Sequence, residues 1–208
     1  MKKINKSKIF DLINSRFNKK FEEFGDDPKS VGWDNKRNQN LRFANATRLI
    51  DFKNNSIVDI GCGLGDFYNF LISKNIIKKE KFTGLDLNSN FIKLCKHKYP
   101  DANFKISNFL LDENIIEKAD IFTMFGLLNI NFKEIDNYDY SRIMIKKGFL
   151  LCKKFFIFDM LSFYNDTLYE KEDFVFYYKP EKILEFCLKL TPHVSLIHDY
   201  ASIPQREF

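Results

Sequence analysis

Few residues in this chain suit a metal or disulfide framework. Its four cysteines, Cys62, Cys95, Cys152 and Cys187, form no Cys-x-x-Cys pair. That argues against a structural zinc site and for free thiols in a reducing, cytoplasmic setting. No run of about 18 apolar residues occurs, so no membrane span is expected. The N-terminal stretch MKKINKSKIFDLINSRF is basic, but charges interrupt its apolar residues and no small-residue cleavage site follows. It is therefore not read as a secretory signal. Blocks of one charge sign are also missing. The 33 basic and 28 acidic residues leave a net +5 spread along the chain. A solvated, lysine-rich surface is favoured over a nucleic-acid arm. Repeats and low-complexity linkers are absent.

What is abundant is aromatic and apolar material: 45% hydrophobic residues, 24 of the 208 residues being phenylalanine. This is enough for one domain with a full core. Phe10, Ile13, Phe17, Phe21 and Phe24 recur at helical spacing and stop at the turn cluster Gly25-Asp26-Asp27-Pro28. A second helix is expected over Asn38 to Phe52. These two helices suggest a helical cap over 1–52, preceding a domain over 53–208.

From there strands and helices alternate. Strands are expected at Ile57–Ile60, Phe82–Leu87, Asn103–Ser107, Asp120–Phe125, Phe155–Met160 and Val194–Tyr200. Helices are expected at about Asp66–Lys74, from Ser89 to before Pro100, at about Asn137–Lys153 and from Pro180 through Leu190. The Asn137 helix is expected to bury Tyr138, Ile145, Phe149 and Cys152. This alternation predicts an α/β fold with a doubly wound, mostly parallel sheet covered on both faces. Residues 161–179 form the longest irregular stretch. They should lie over the carboxyl ends of the strands, where such folds bind ligands.

The chemistry concentrates in VDIGCGLGDF, residues 58–67. Gly61, Gly63 and Gly65 alternate, and the third glycine of a dinucleotide fingerprint would fall at Asp66. A carboxylate at the start of a helix is a poor neighbour for a pyrophosphate and a good one for an ammonium or sulfonium. Asp86 ends the second strand, 21 residues after Gly65. At that spacing a carboxylate accepts hydrogen bonds from ribose hydroxyls. The expected ligand carries a ribose and no pyrophosphate.

On these residues the chain resembles the class I S-adenosylmethionine-dependent methyltransferases. VDIGCGLGDF is similar to their glycine-rich first motif and FTGLDLN to their ribose-binding second strand. KISNFL and ADIFTMFGLLN resemble the ends of strands three and four. The resemblance covers about residues 55–160. It implies S-adenosylmethionine as cofactor and S-adenosylhomocysteine as product. Gly61, Cys62, Gly63 and Gly65 would lie along the methionine part, with Asp66 beside its cationic end. Asp59 would support the turn or approach the amino group, or merely cap the turn. Asp86 would bind the ribose and Leu87 would lie against the adenine. Asn108 and Phe109 would flank the adenine, unless Asn108 is an ordinary turn residue. Phe125 and Gly126 would lie near the reacting methyl.

Upstream, SVGWDNKRNQNLRF resembles the lead-in of a bacterial subgroup. There Arg42 would hold the cofactor carboxylate, with Trp33 and Gln39 nearby; otherwise Trp33 is a core anchor and Arg42 a surface residue. His198 is the candidate general base, with a structural role as its rival. Tyr138, Tyr140, Tyr164, Tyr177 and Tyr178 either line an acceptor pocket or only pack.

The acceptor is weighed by absences. Asn129 and Asn131 lack the prolines of an NPPY-type tetrapeptide, and no Pro-Cys pair supplies a cytosine C5 nucleophile. Asp136 and Asp139 have no matching Asp-Asn pair after strand five, so no metal is expected. A small-molecule acceptor methylated on oxygen, such as a sugar or surface-glycan precursor, leads the readings. Nucleic-acid or protein methylation, a non-catalytic cofactor scaffold and an NAD or nucleotide-sugar enzyme are the alternatives. The resemblance implies a seventh strand, and the expectation here is that it is truncated or absent, with a Glu207–Phe208 stub, a closed gap or pairing from another chain in its place and the oligomeric state open.

Overall fold

The computed structural model describes residues 6–112, 117–164 and 171–198. Helix α1 (Lys6–Phe24) and helix α2 (Lys36–Leu49) come first. Asn35 caps α2 by accepting from the Asn38 N–H at 3.0 Å. Then follow β1 (Ile57–Ile60), α3 (Asp66–Ser73), β2 (Phe82–Asp86), α4 (Ser89–Lys98), β3 (Asn103–Ile106), β4 (Ala119–Met124), α5 (Asn137–Leu151), β5 (Cys152–Phe158) and α6 (Pro180–Leu188).

The five strands form one parallel sheet in the order β3-β2-β1-β4-β5. The chain winds outward from β1 in one direction, then returns to β4 on its other side. The crevice beyond the carboxyl ends of β1 and β4 is therefore the topological switch point, where ligands bind in open α/β sheets.

Alternating side chains supply the two cores, as strand geometry requires. Val58, Ile60, Phe122 and Met124 pack with Tyr140, Met144 and Ile145 of α5 and Ile183 of α6. Ile57, Phe82, Phe104 and Ile121 pack with Phe67 and Leu71 of α3 and Ile92 and Cys95 of α4. Much of the second core is ring against ring. Phe67 lies 4.8 Å from Phe125 and 5.0 Å from Phe43 between centroids, which uses the phenylalanine richness directly.

Three expectations need correction. Helix α5 buries Tyr140, Ser141, Met144, Ile145 and Gly148, whereas Tyr138, Phe149 and Cys152 are only partly buried. A Cβ at Gly148 would come 2.6 Å from Phe156, so the helix meets β5 through its smallest residue. The β5 strand begins at Cys152 and ends at Phe158, with Lys153, Lys154 and Phe155 exposed, since it is an outer strand among the described residues. Residues Val194–His198 form no strand. These residues and β5 line one cavity of about 790 Å³. Asp199, Tyr200 and the expected Glu207–Phe208 stub lie outside the described residues.

The described parts of the irregular stretch, 161–164 and 171–179, join the loop that follows the carboxyl end of β4. Leu161 N–H donates to Asn129 Oδ1 at 2.8 Å, and Ile130 bridges to Val175. No described helix is long and apolar enough to cross a membrane.

Candidate functional site

A cavity opens at the switch point. Its floor is the turn after β1. The N–H groups of Gly61 and Cys62 both donate to Leu85 O, at 2.8 and 3.0 Å, laying the turn across the end of β2. Gly63 has φ +53°, and a Cβ there would stand 2.8 Å from Val31 Cγ1. Glycine is required both by that backbone conformation and by the close approach of Val31. Gly65 opens α3 and packs against Tyr99, Phe104 and Cys95.

Asp86 staples the turn to the next helix. Its Oδ2 accepts from Gly63 N–H at 2.9 Å and its Oδ1 from Asn88 N–H at 2.8 Å. The Leu87 N–H is a further backbone donor to it, and a carboxylate with about four acceptor sites keeps capacity for a ligand donor. Burial raises the Asp86 carboxyl above its ordinary value, and the backbone donors oppose that shift. Asp59 lies beside it but leaves the Gly63 N–H to Asp86; it accepts from Thr123 Oγ1 at 2.6 Å across the β1–β4 register. Burial is the main cause that pushes Asp59 up to about 7; the Thr123 hydroxyl opposes the shift, and the charges of Asp86 and Asp159 add to it.

Asp66, at the start of α3, has two partners from α2. Lys36 Nζ stands 2.9 Å from Oδ1, and Gln39 Nε2 donates to Oδ2 at 3.0 Å. The cationic neighbour expected of Asp66 is thus supplied, in this state, by the half-exposed Lys36. Gln39 itself is buried, lines the cavity and leaves its Oε1 without a hydrogen-bond partner. A buried amide oxygen with no donor is costly, so a ligand donor at this point would relieve it.

Of the residues expected at the cofactor, Trp33, Gln39, Asp59, Gly61, Cys62, Gly63, Asp66, Asp86, Leu87, Asn108, Phe109, Phe125 and Gly126 all line this cavity. Gly65 and Arg42 do not. Arg42 is buried, not at the surface, and its Nη1 pairs with Asp159 Oδ2 while the guanidinium lies 4.6 Å from the Trp33 ring. Asp159 Oδ1 accepts from Gly126 N–H at 2.6 Å, so the pair holds the turn after β4. His198 lies away from the glycine turn, with Nε2 2.8 Å from Ser162 Oγ, on the wall of the larger cavity beside β5. That cavity shares Phe125 with the first. Of the five tyrosines, Tyr140 lines the first cavity and Tyr178 the second.

Other wall residues were not anticipated. Ile9, Phe10, Ile13 and Phe17 place the α1 stripe over the cavity, and Val31, Ile130 and Met144 complete it. The stripe was visible as helical periodicity, but periodicity does not say what a helix covers. Asp136 caps α5 through the N–H groups of Tyr138 and Asp139. Among the described residues no group of three or more His, Cys, Asp or Glu side chains could hold a metal ion.

Known proteins fit this arrangement. The fold matches magnesium protoporphyrin IX methyltransferase from Synechocystis PCC 6803, a structure with bound S-adenosylhomocysteine, at TM-score 0.61 and 14% identity over 89% of this chain and 88% of that one. It also matches an S-adenosylmethionine-dependent methyltransferase from Clostridium acetobutylicum ATCC 824, at TM-score 0.53 and 16% identity over 83% and 85% of the two chains. The ribosomal RNA small subunit methyltransferase A of Mesomycoplasma hyopneumoniae (strain 232) is 40% identical over 107 residues, 47% of this chain and 39% of that protein. The chain spans less than half the length of the curated relatives it matches. A family model covers residues 33–171, from Trp33 through the glycine turn, the three cavity carboxylates Asp59, Asp66 and Asp86 and the start of the stretch beyond β5, and by that match the chain belongs to the ubiE/COQ5 methyltransferase family.

Proposed function

We propose that this chain binds S-adenosylmethionine in the cavity at the switch point and transfers its methyl group to a small-molecule acceptor. The observation that carries the reading is the convergence of Asp59, Asp66 and Asp86 on one glycine turn, beside the unpartnered Gln39 Oε1. Three carboxylates and an open acceptor suit a ligand rich in donors and positive charge, and disfavour a pyrophosphate. When bound, the cofactor supplies an activated sulfonium methyl, so the protein's share is alignment and exclusion of water.

Each residue has a physical task in this reading. Asp86 accepts from the ribose hydroxyls with the lone pairs that Gly63 and Asn88 leave free. Gln39 Oε1 accepts from the α-ammonium, and Asp66 adds negative charge there as Lys36 swings into solvent. Leu87, Asn108 and Phe109 receive the adenine. The α1 residues Phe10, Ile13 and Phe17 exclude water from above, and that enclosure supports a small acceptor over a macromolecular one. The acceptor occupies the larger cavity, which is of ligand size and meets the first at Phe125. There His198, positioned by Ser162, takes the proton of an acceptor hydroxyl such as that of a sugar.

The 107-residue likeness to a ribosomal RNA methyltransferase supports a second reading, with RNA as acceptor. Methyl transfer from labelled cofactor to sugar nucleotides and to ribosomal RNA separates the two. Stabilisation by S-adenosylhomocysteine and not by NAD is expected in a thermal-shift comparison. The reverse result sinks the cofactor assignment.

A further inference from the structure

Lys147 of α5 touches neither cavity. Its ammonium reaches from the helix between β4 and β5 to the loop after β3. There it donates to Phe109 O at 2.6 Å and to Asp112 O at 2.5 Å, and it lies 5.0 Å from the centre of the Phe109 ring. Lys147 is half-buried, whereas its neighbour Lys146 is exposed.

The loop that Lys147 grips is the one whose Ser107, Asn108, Phe109 and Leu110 line the first cavity. At its start, Ser107 N–H donates to Asp86 O at 2.9 Å, which ties it to β2. Its other bonds are internal. Asp112 Oδ2 accepts from Ser107 Oγ and Asn108 N–H, both at 2.8 Å, and Leu111 N–H donates to Asn108 O at 2.9 Å. Phe109 and Leu110 pack into the core beside β1 and β4 and hold the middle of the loop. The bonds to Lys147 tie its far end to the body of the protein.

We infer that Lys147 is a positioning residue for cofactor binding: it holds the 107–112 loop at the height where Asn108 and Phe109 meet the adenine. The inference rests on the cofactor reading above. Two charge-assisted bonds to main-chain oxygens set the loop against α5, and an ammonium near Phe109 adds a cation–ring attraction on a residue that faces the cavity. Without them the loop samples positions in which the adenine contacts are lost. Cofactor binding then has to reorder it, which weakens affinity and leaves the methyl-transfer geometry of the saturated enzyme unchanged.

The test uses Lys147→Met, Lys147→Arg and, as control, Lys146→Met in the full chain. The probes are S-adenosylhomocysteine and 5′-methylthioadenosine, which keeps the adenosine and lacks the amino acid. Lys147→Met is expected to weaken both by the same factor, about tenfold. Lys147→Arg should recover part of the loss, and Lys146→Met should bind as wild type. In turnover, the cofactor KM should rise in Lys147→Met at unchanged kcat. Wild-type affinity for both probes in Lys147→Met, or a lower melting temperature with intact affinity, overturns the inference. If Lys147→Met does not fold, a Lys147→Arg protein with a lower melting temperature and wild-type affinity for both probes overturns it as well. A wild-type chain that binds neither probe overturns the cofactor reading itself, a distinguishable result.

Discussion

Asp59 and Thr123 stand opposite each other on adjacent parallel strands and share a buried 2.6 Å hydrogen bond in the floor of the cavity. Burial pushes the Asp59 carboxyl up to about 7 from an ordinary 3.8. The folded protein therefore holds this proton more tightly than the unfolded chain. The stability it contributes is full below about pH 4 and is lost as pH rises to about 7, at most about 4 kcal/mol across three pH units. Urea unfolding of wild type and Asp59→Asn between pH 4 and 8 reads this. The wild type should lose stability relative to the variant as pH rises, and parallel curves would contradict it.

The same carboxyl bears on ligand choice. S-adenosylmethionine has a positive sulfur and S-adenosylhomocysteine a neutral one. Ionised Asp59 favours the first, so the ratio of their affinities should tilt toward S-adenosylmethionine from pH 6 to pH 8. Calorimetric titration of both ligands at each pH checks it. In Asp59→Asn the ratio should be flat.

Asp86 serves the fold and the ligand with one carboxylate. Asp86→Asn keeps the size but turns one acceptor into a donor that faces Gly63 N–H or Asn88 N–H. A charged hydrogen bond contributes about 1.5–3 kcal/mol, so S-adenosylhomocysteine affinity should fall at least tenfold. Thermal stability should fall with it, since the turn loses its staple. An unchanged affinity would place the ribose elsewhere.

Much of this was legible because local chemistry and the global fold agree. Ile57–Ile60 is a near-continuous apolar run, broken only by Asp59, that ends at a glycine turn, and β1 has those bounds. Asp86 could be placed from its distance to Gly65, because a parallel β1–β2 pair brings both strand ends to one crevice. What escaped the sequence was set by non-local packing. Gly148 and Ser141 lie on the buried face of α5 because Phe156 and the sheet approach closely, and small residues give no hydrophobic period. Arg42 was read toward a ligand carboxylate; the fold instead offers it Asp159, 117 residues away. Val194–His198 has the composition of a strand, but composition does not supply a pairing partner, and these residues stay outside the sheet. Nothing in a single helix's sequence shows that Lys147 reaches a loop 38 residues earlier.

Gly63 and Val31 form a contact that tests how tightly the cap closes on the turn. In Gly63→Ala a methyl would press on Val31 at 2.8 Å while the backbone stays in the left-handed region. The strain of that region is about 1–2 kcal/mol and the clash adds to it. Gly63→Ala should therefore be destabilised and bind S-adenosylhomocysteine weakly. Adding Val31→Ala removes the clash and leaves the backbone strain. Partial recovery in the double variant, measured as a coupling energy, is the expected outcome. Strict additivity would mean that the two residues do not meet.

The Arg42–Asp159 pair gives the largest expected loss of stability. Both side chains are buried, and Asp159 also accepts from the Gly126 N–H. Removing one member of a buried pair leaves an uncompensated charge, at a cost of about 3–5 kcal/mol. Arg42→Met keeps the apolar stem against Trp33 and removes the charge beside Asp159. Asp159→Asn removes the charge from the other side of the pair. Denaturant unfolding of both variants against wild type reads the cost. A loss below about 1 kcal/mol in Arg42→Met would mean that the pair contributes packing rather than charge.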